Sequence, residues 1–290
     1  MASSSLTSVM KDGEGINWAE LPSDLTSSIL RRLDSIDILE NAQKVCTSWY
    51  RVCKDPAMWR KIDIFNFLDK GHNLEIMCRH AVDRSQGGLL EIDIWCLGTD
   101  SLINYVADSS SNLRSLKLAL ISPITIEGLT EALRKLPLLE ELEVFEITMW
   151  GDYLKVAGQF CPKLKTLKLN CFRSGLGTPL HVSDDDALAI AETMPGLRFL
   201  QLFANGLTDA GLKAILDNCP DLEHIDLGHC FNVHFSGDLE KRCSERIEVL
   251  RRPNDGVIDI DLSIFEDTVT VDCDYSDNDL LTYVVLAAET

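Results

Sequence analysis

The sequence predicts an α/β protein: a short all-α module followed by a right-handed solenoid of strand–helix coils, with a parallel sheet on its concave face. Three observations predict it. First, an apolar-x-x-apolar-x-apolar pattern recurs at Leu89/Ile92/Ile94, Leu113/Leu116/Leu118, Leu139/Leu142/Val144, Leu164/Leu167/Leu169, Leu197/Leu200/Leu202 and Leu222/Ile225/Leu227. The copies start 24, 26, 25, 33 and 25 residues apart, and self-similarity at such a period marks a repeat architecture. Second, Pro137, Pro162, Pro195 and Pro220 each stand two positions before the first apolar residue of a copy, where a preceding helix must stop. Third, residues 17–60 carry apolar residues at helical rather than strand spacing.

Residues 1–16 are expected to be disordered; Met1 to Ser8 are small and polar, and no secretory signal is read there. Residues 17–60 form the helical module. Leu21-Pro22 opens it, since proline fixes φ and biases its predecessor toward an extended form. Ser23 is expected to cap a helix whose apolar positions are Leu25, Ile29, Leu30 and Leu33. A second helix is expected over Ile36 to Ala42, and a third with Val45, Trp49 and Val52 on one face. Trp59 closes the module and opens the first strand. So small a unit holds more apolar surface than it can hide, which implies a partner, the solenoid, or both. A plain N-terminal cap for the repeats is the simpler alternative.

Residues 61–252 form the solenoid, about seven coils; an early copy stands at Trp59/Ile62/Ile64 and a degenerate last one at Ile247. Helices are expected at Ile126–Leu136, Tyr153–Phe160, Asp185–Thr193 and Asp209–Asn218, with Thr125, Ser183 and Thr208 as caps or near-caps. The run Asp184–Asp186 suits the positive end of a helix dipole. Strand alternation turns residues such as Leu116 and Leu118 inward and their neighbours to the concave face. One concave row is then Trp95, Ala119, Phe145, Asn170, Phe203 and Gly228; a second runs Asp93, Lys117, Glu143, Lys168, Gln201 and Asp226; a third runs Glu91, Ser115, Glu141, Thr166, Phe199 and His224. Aromatic residues accumulated on such a face point to an interface, unless a loop or the tail covers them. Trp95, Lys117, Phe145, Lys168, Phe199, Phe203 and His224 are therefore the candidate binding residues. The 33-residue copy carries an insertion around Phe172 to Asp184, which reads as a loop.

Residues 253–290 form an acidic tail. After Arg252 the chain has no Lys or Arg and ten carboxylates, a large part of the formal net charge of −19. The segment "VIDIDL" alternates and reads either as an added strand or as part of a disordered or weakly docked acidic segment. So acidic a chain repels a phosphate backbone, so no nucleic-acid partner is expected. No apolar run is long enough to span a bilayer, so no membrane partner is expected either. Ten cysteines without a signal read as reduced thiols, in a cytoplasmic and/or nuclear protein. Cys219, His224, His229 and Cys230 are the densest potential zinc ligands, but the repeat accounts for both cysteines and no Cys-x-x-Cys pair exists. No metal or cofactor is expected, and no nucleophile–base constellation marks an enzyme.

Leu222-x-x-Ile225-x-Leu227-x-x-Cys230 and Leu197-x-x-Leu200-x-Leu202-x-x-Asn205 resemble the leucine-rich repeat of the cysteine-containing subclass. In that family the terminal Asn or Cys satisfies backbone groups at the bend after the strand. The other copies have Leu97, Ile121, Ile147 and Phe172 there, which implies irregular turns. The module, with Leu21-Pro22 and then "VCTSWYRVCKDPAMW", resembles an F-box. The order of the two, with Trp-x-x-Leu-Pro at the start, is similar to small plant F-box/leucine-rich-repeat proteins. The resemblance implies that Leu21, Pro22, Leu25, Ile29, Leu33, Val45 and Trp49 dock on the Skp adaptor, and through it on a cullin–RING core. It implies a substrate receptor of an SCF (Skp–cullin–F-box) ubiquitin ligase, non-catalytic itself, whose concave face holds an unidentified protein substrate. The alternatives are a non-proteolytic repeat scaffold and a small-ligand-binding solenoid.

Overall fold

The computed structural model describes residues 17–64, 74–94, 99–120, 124–146, 153–171 and 182–255. The module opens with a 3-10 turn at Trp18–Glu20, and helix α1 spans Ser23–Leu30. Ser23 is its first residue rather than its cap; the carbonyl of Pro22 accepts from Thr26 N and no side chain caps the end. The second expected helix is a jointed run of α2 (Ser35–Asp37), a π turn (Ile38–Ala42) and α3 (Gln43–Val45). Asp34 starts it by accepting from Asp37 N at 2.7 Å. Cys46 then leaves helical conformation (φ −161, ψ 170), and its Sγ accepts from Trp49 N to cap α4 (Thr47–Cys53). Val45 and Trp49, expected on one helix face, thus belong to separate helices. A 3-10 turn at Pro56–Trp59 leads into the sheet.

Among the described residues eight parallel strands follow in sequential order: β1 (Lys61–Ile64), β2 (Glu91–Ile94), β3 (Ser115–Leu120), β4 (Glu141–Glu146), β5 (Thr166–Cys171), β6 (Phe199–Phe203), β7 (His224–Asp226) and β8 (Val249–Arg251). The early and the degenerate copies both form strands, β1 and β8. Helices return between strands: α5 (Leu74–Ser85), α6 (Asp100–Ser109), α7 (Ile126–Arg134), α8 (Tyr153–Phe160), α9 (Asp185–Thr193), α10 (Asp209–Asn218) and α11 (Leu239–Arg246). The register follows the repeat: Leu116 pairs with Leu142, Leu142 with Leu167, Leu167 with Leu200, and Leu200 with Ile225. All five are essentially inaccessible and share one continuous core with the module's Leu30, Leu39 and Trp59.

The in-phase prolines do more than stop helices. Each occupies the second position of a turn closed by Leu139 N to Leu136 O (3.1 Å), Leu164 N to Cys161 O (3.0 Å), Leu197 N to Met194 O (3.2 Å) or Leu222 N to Cys219 O (3.3 Å). Proline's fixed φ suits that position. Coils are then tied together by side chains. Asp100 accepts from Thr125 N and Oγ1, both at 2.7 Å, while Thr125 Oγ1 caps α7 through Gly128 N. Asp184 does the same for Thr208 at 2.7 and 2.8 Å, and Thr208 caps α10. Glycine is required beside both staples, since a Cβ on Gly128 or Gly211 would lie 2.1 or 2.3 Å from the carboxylate. Ser183, expected as a near-cap, accepts from Asp185 N at the start of α9.

Asp209 is the strongest of these ties, accepting from His234 N, Phe235 N and Ser236 N at 2.8, 3.0 and 2.8 Å. Burial pushes its carboxyl up, but the backbone amides of Ser236, His234 and Phe235 outweigh burial and hold it below its ordinary value. A carboxylate depressed in the folded state contributes stability above its unfolded pKa, and that contribution is lost as pH falls through the folded value. Asp209→Asn should therefore cost about 1–2 kcal/mol at neutral pH. In urea titrations its deficit should shrink as pH falls below 3.8; a deficit independent of pH would contradict the role.

Asn205 and Cys230 satisfy the bends as the repeat resemblance implies. Asn205 Oδ1 accepts from the buried Leu207 N at 2.9 Å, and its amide reaches Asp186 at 2.9 Å. Cys230 Sγ donates to Leu202 O at 2.8 Å in the preceding coil. Asn205→Ala orphans a buried amide, so thermal or urea unfolding should report a loss of about 1–3 kcal/mol. The other bend positions, 97, 121, 147 and 172, lie outside the described residues, as does most of the insertion.

Candidate adaptor-docking face and concave sheet

The module divides its apolar residues between two sides. Leu30, Ile38, Leu39 and Val52 turn into the core. Leu25, Ile29, Leu33 and Val45 turn outward, 37 to 59% exposed. Leu25, Ile29 and Leu33 recur every four residues along and just beyond α1, forming one stripe. Leu21 is half-buried and Pro22 exposed beside it. Trp49 is half-buried, its Nε1 donating to Trp18 O at 3.1 Å. Sequence reasoning missed Trp18 and Tyr50, both about half exposed. The break at Cys46 turns α4 independently of α3, and a single continuous helix period cannot show that.

Behind this face the module is locked to the first coil. Trp59 is 1% exposed and donates Nε1–H to Cys53 O at 2.9 Å. The Arg84 guanidinium from α5 lies 5.3 Å from the Trp59 ring centroid and donates to Gln43 Oε1 at 2.7 Å. Ser35 Oγ accepts from Asp63 N of β1 at 3.1 Å. Burial pulls the Arg84 guanidinium below its ordinary value and pushes the Cys53 thiol above its own.

The concave face has a charged middle. Lys117 of β3 and Lys168 of β5 each stand 3.3 Å from Glu143 of β4, and 3.8 and 3.6 Å from Glu141. Burial disfavours the Lys117 ammonium, but Glu143, Glu141 and Asp93 outweigh it and raise its pKa. Both lysines are thus held by carboxylates in the free protein. Toward the C-terminal end the face turns aromatic. Phe199 stacks on His224 with centroids 5.8 Å apart, and Lys168 lies 5.8 Å from the Phe199 ring. Val249 follows in the same row, 53% exposed. Asp226 meets Arg251 at 3.3 Å.

The expected aromatic row divides. Phe145 and Phe203 are buried, each 8% exposed, so the structure does not offer them as an open platform. Phe203 packs 4.8 Å from the ring of His229, and His229 packs 5.4 Å from Phe231. Asn170 between them is inaccessible and accepts from Gln201 at 2.7 Å. Trp95 lies outside the described residues. The accessible part of the candidate face is thus Phe199, His224 and Val249 beside the Lys117–Glu143–Lys168 network.

Among the described residues no group of His, Cys, Asp and Glu could hold a metal ion. Cys219 instead contacts Met194 O and Cys230 contacts Leu202 O, each in the preceding coil. No described helix is long and apolar enough to cross a membrane. Burial pushes the Cys78 and Cys161 thiols up to about 12 and Cys219 to about 11. Of the described cysteines, the half-buried Cys46 and Cys171 should therefore alkylate first in the native protein, with the buried thiols following only on unfolding, as read by peptide mass spectrometry.

Residues 18–65 match the F-box-like family. The chain is 58% identical to the F-box protein SKIP19 of Arabidopsis thaliana over 97% of its own length and 91% of that protein. It is 52% identical to the putative F-box/LRR-repeat protein 22 of the same plant, over 94% of this chain and 88% of that one. Against the putative F-box/LRR-repeat protein 23 the identity is 59% over 88% of this chain and 57% of the longer relative. A helical F-box-like module fused to a parallel-stranded repeat solenoid defines the class. The chain belongs to the plant F-box/leucine-rich-repeat proteins.

Proposed function

We propose that the protein is the substrate-recognition subunit of an SCF ubiquitin ligase, acting in the cytoplasm and/or nucleus. The single observation that carries this reading is the outward stripe of Leu25, Ile29 and Leu33, with Val45, on a module whose Leu30, Ile38, Leu39 and Val52 turn into the core. A cap that served only the solenoid would have no reason to spend four large apolar side chains on solvent. The stripe docks on the helical Skp adaptor and the accessible concave face holds a protein substrate. The chain itself transfers nothing; it raises the effective concentration of substrate near a charged conjugating enzyme.

The test is capture by the Skp adaptor from purified components. Wild type should be retained stoichiometrically. Leu25→Asp should be lost while Leu188→Asp is retained, because Leu188 is an even more exposed apolar residue on a solenoid helix. Failure of a folded wild type to bind would leave the module as a cap and the protein as a repeat scaffold.

A further inference from the structure

The accessible concave face adjoins a charged rim. Arg114, Glu140, Lys165, Arg198 and Glu223 each stand immediately before a strand, β3 to β7 in order. Their side chains meet from coil to coil. Glu140 takes Arg114 on one side and Lys165 at 3.1 Å on the other, and Arg198 pairs with Glu223. Lys165 and Arg114 together hold the Glu140 carboxyl below its ordinary value. Lys163 is exposed in the turn that leads to Lys165. Arg134, also exposed, ends α7 with its guanidinium 5.4 Å from the ring centroid of Phe160, which is itself 39% exposed.

This rim runs against the charge of the chain. Arg114, Arg134, Lys163, Lys165 and Arg198 are set against the carboxylates of Glu140 and Glu223, in a protein of formal charge −19. The patch is also bounded, because the exposed Asp221 and Glu248 reverse its sign beyond Arg198. The dipole of α7 accounts for Arg134 in its last turn. No helix end accounts for Arg114, Lys165 and Arg198, which open strands. Their side chains are 46, 53 and 55% exposed. Ion pairs so exposed contribute little to the fold, so these cations can turn to another carboxylate at small expense.

We propose that this rim binds an acidic polypeptide segment of the substrate, which sets an apolar side chain on the adjoining Phe199 and His224. The proposal rests on the receptor reading above and names the class of substrate that reading leaves open. Continuity of the two surfaces supports it, since Arg198 and Phe199 are consecutive. From β3 to β6 the rim spans about 14 Å, the reach of about four extended residues. Arginine offers a carboxylate paired N–H donors, and charge-assisted bonds of that kind are the strong ones. A segment this short stays inside the patch, whereas a long phosphate backbone would run onto the acidic surface around it.

The test is fluorescence anisotropy on the full chain with a labelled peptide in which glutamates flank a phenylalanine. The same peptide with glutamines for the glutamates is the comparison. The glutamate peptide should bind at least about tenfold more tightly at low salt, with the gap closing as salt rises. Lys163→Glu/Lys165→Glu should abolish the gap. Lys213→Glu/Lys241→Glu, an equal change of charge on α10 and α11, should keep it. Equal binding of the two peptides would overturn the proposal, as would a gap that survives Lys163→Glu/Lys165→Glu, or tighter binding of a single-stranded oligonucleotide. Carbodiimide cross-links from Lys163 or Lys165 to residues 256–290 of the same molecule would overturn it too, by making the chain's own acidic tail the occupant. Capture by the Skp adaptor, measured on the same preparations, separates the two readings. A protein that the adaptor does not hold defeats the receptor reading, and a captured protein indifferent to the glutamates defeats this proposal alone.

Discussion

Leu25→Ala and Ile29→Ala should each weaken binding to the Skp adaptor by roughly 5- to 150-fold, about 1–3 kcal/mol. Neither should lower the unfolding midpoint measurably. Both side chains are more than a third exposed in the free chain, so truncation removes little that the fold uses. In a complex the same side chains would be desolvated, and buried aliphatic anchors near the centre of an interface carry most of its energy. Val45→Ala should behave alike, since Val45 is the most exposed of the four. Leu30→Ala is the contrast: Leu30 is inaccessible, so its loss should cost about 2–5 kcal/mol of stability. Affinity should be read by titration calorimetry and stability by urea unfolding. If Leu25→Ala and Ile29→Ala both bound as wild type, the exposed stripe would have no part in adaptor docking.

Much of this arrangement was legible in the sequence, because repeat physics writes the same constraint many times. The inward leucines, the prolines and the caps Thr125 and Thr208 each recur at one phase, and the structure places them as the phase requires. What sequence could not show are one-off events. Cys46 breaks a helix period that looks continuous across Val45, Trp49 and Val52, because an extended backbone with a thiol cap costs the chain little there. The burial of Phe145 and Phe203 was also hidden. Alternation assigns a side chain to a face of the sheet, but it does not tell whether that face is open at that row. Of the staples Asp100, Asp184 and Asp209, only Asp184 stood out in the sequence, as a first-turn acid; their bonds to the next coil depend on stacking distance, which no single repeat contains.

Trp59→Ala should produce the largest loss of stability of any substitution considered, about 3–5 kcal/mol. The indole is 1% exposed at the point where the module, β1 and α5 meet. Its removal leaves a cavity and strips Cys53 O of the donor at 2.9 Å. It also strips Arg84 of the ring beneath its guanidinium, whose Nε is already buried without a hydrogen-bond partner. The cost should therefore not be confined to one side chain. Combined with Arg84→Met, Trp59→Ala should show a coupling of about 0.5–3 kcal/mol, since the two groups are in contact. Trp59→Phe, which keeps an aromatic face for Arg84 but not the indole N–H, should lose markedly less than Trp59→Ala. Urea unfolding monitored separately at the module and at the solenoid decides what the junction does. A single shared transition in wild type that splits in Trp59→Ala means the tryptophan transmits stability between the two parts. Equal shifts of one transition would instead make it an ordinary core residue, and the module would depend on the solenoid through Ser35, Gln43 and the surrounding aliphatic packing alone.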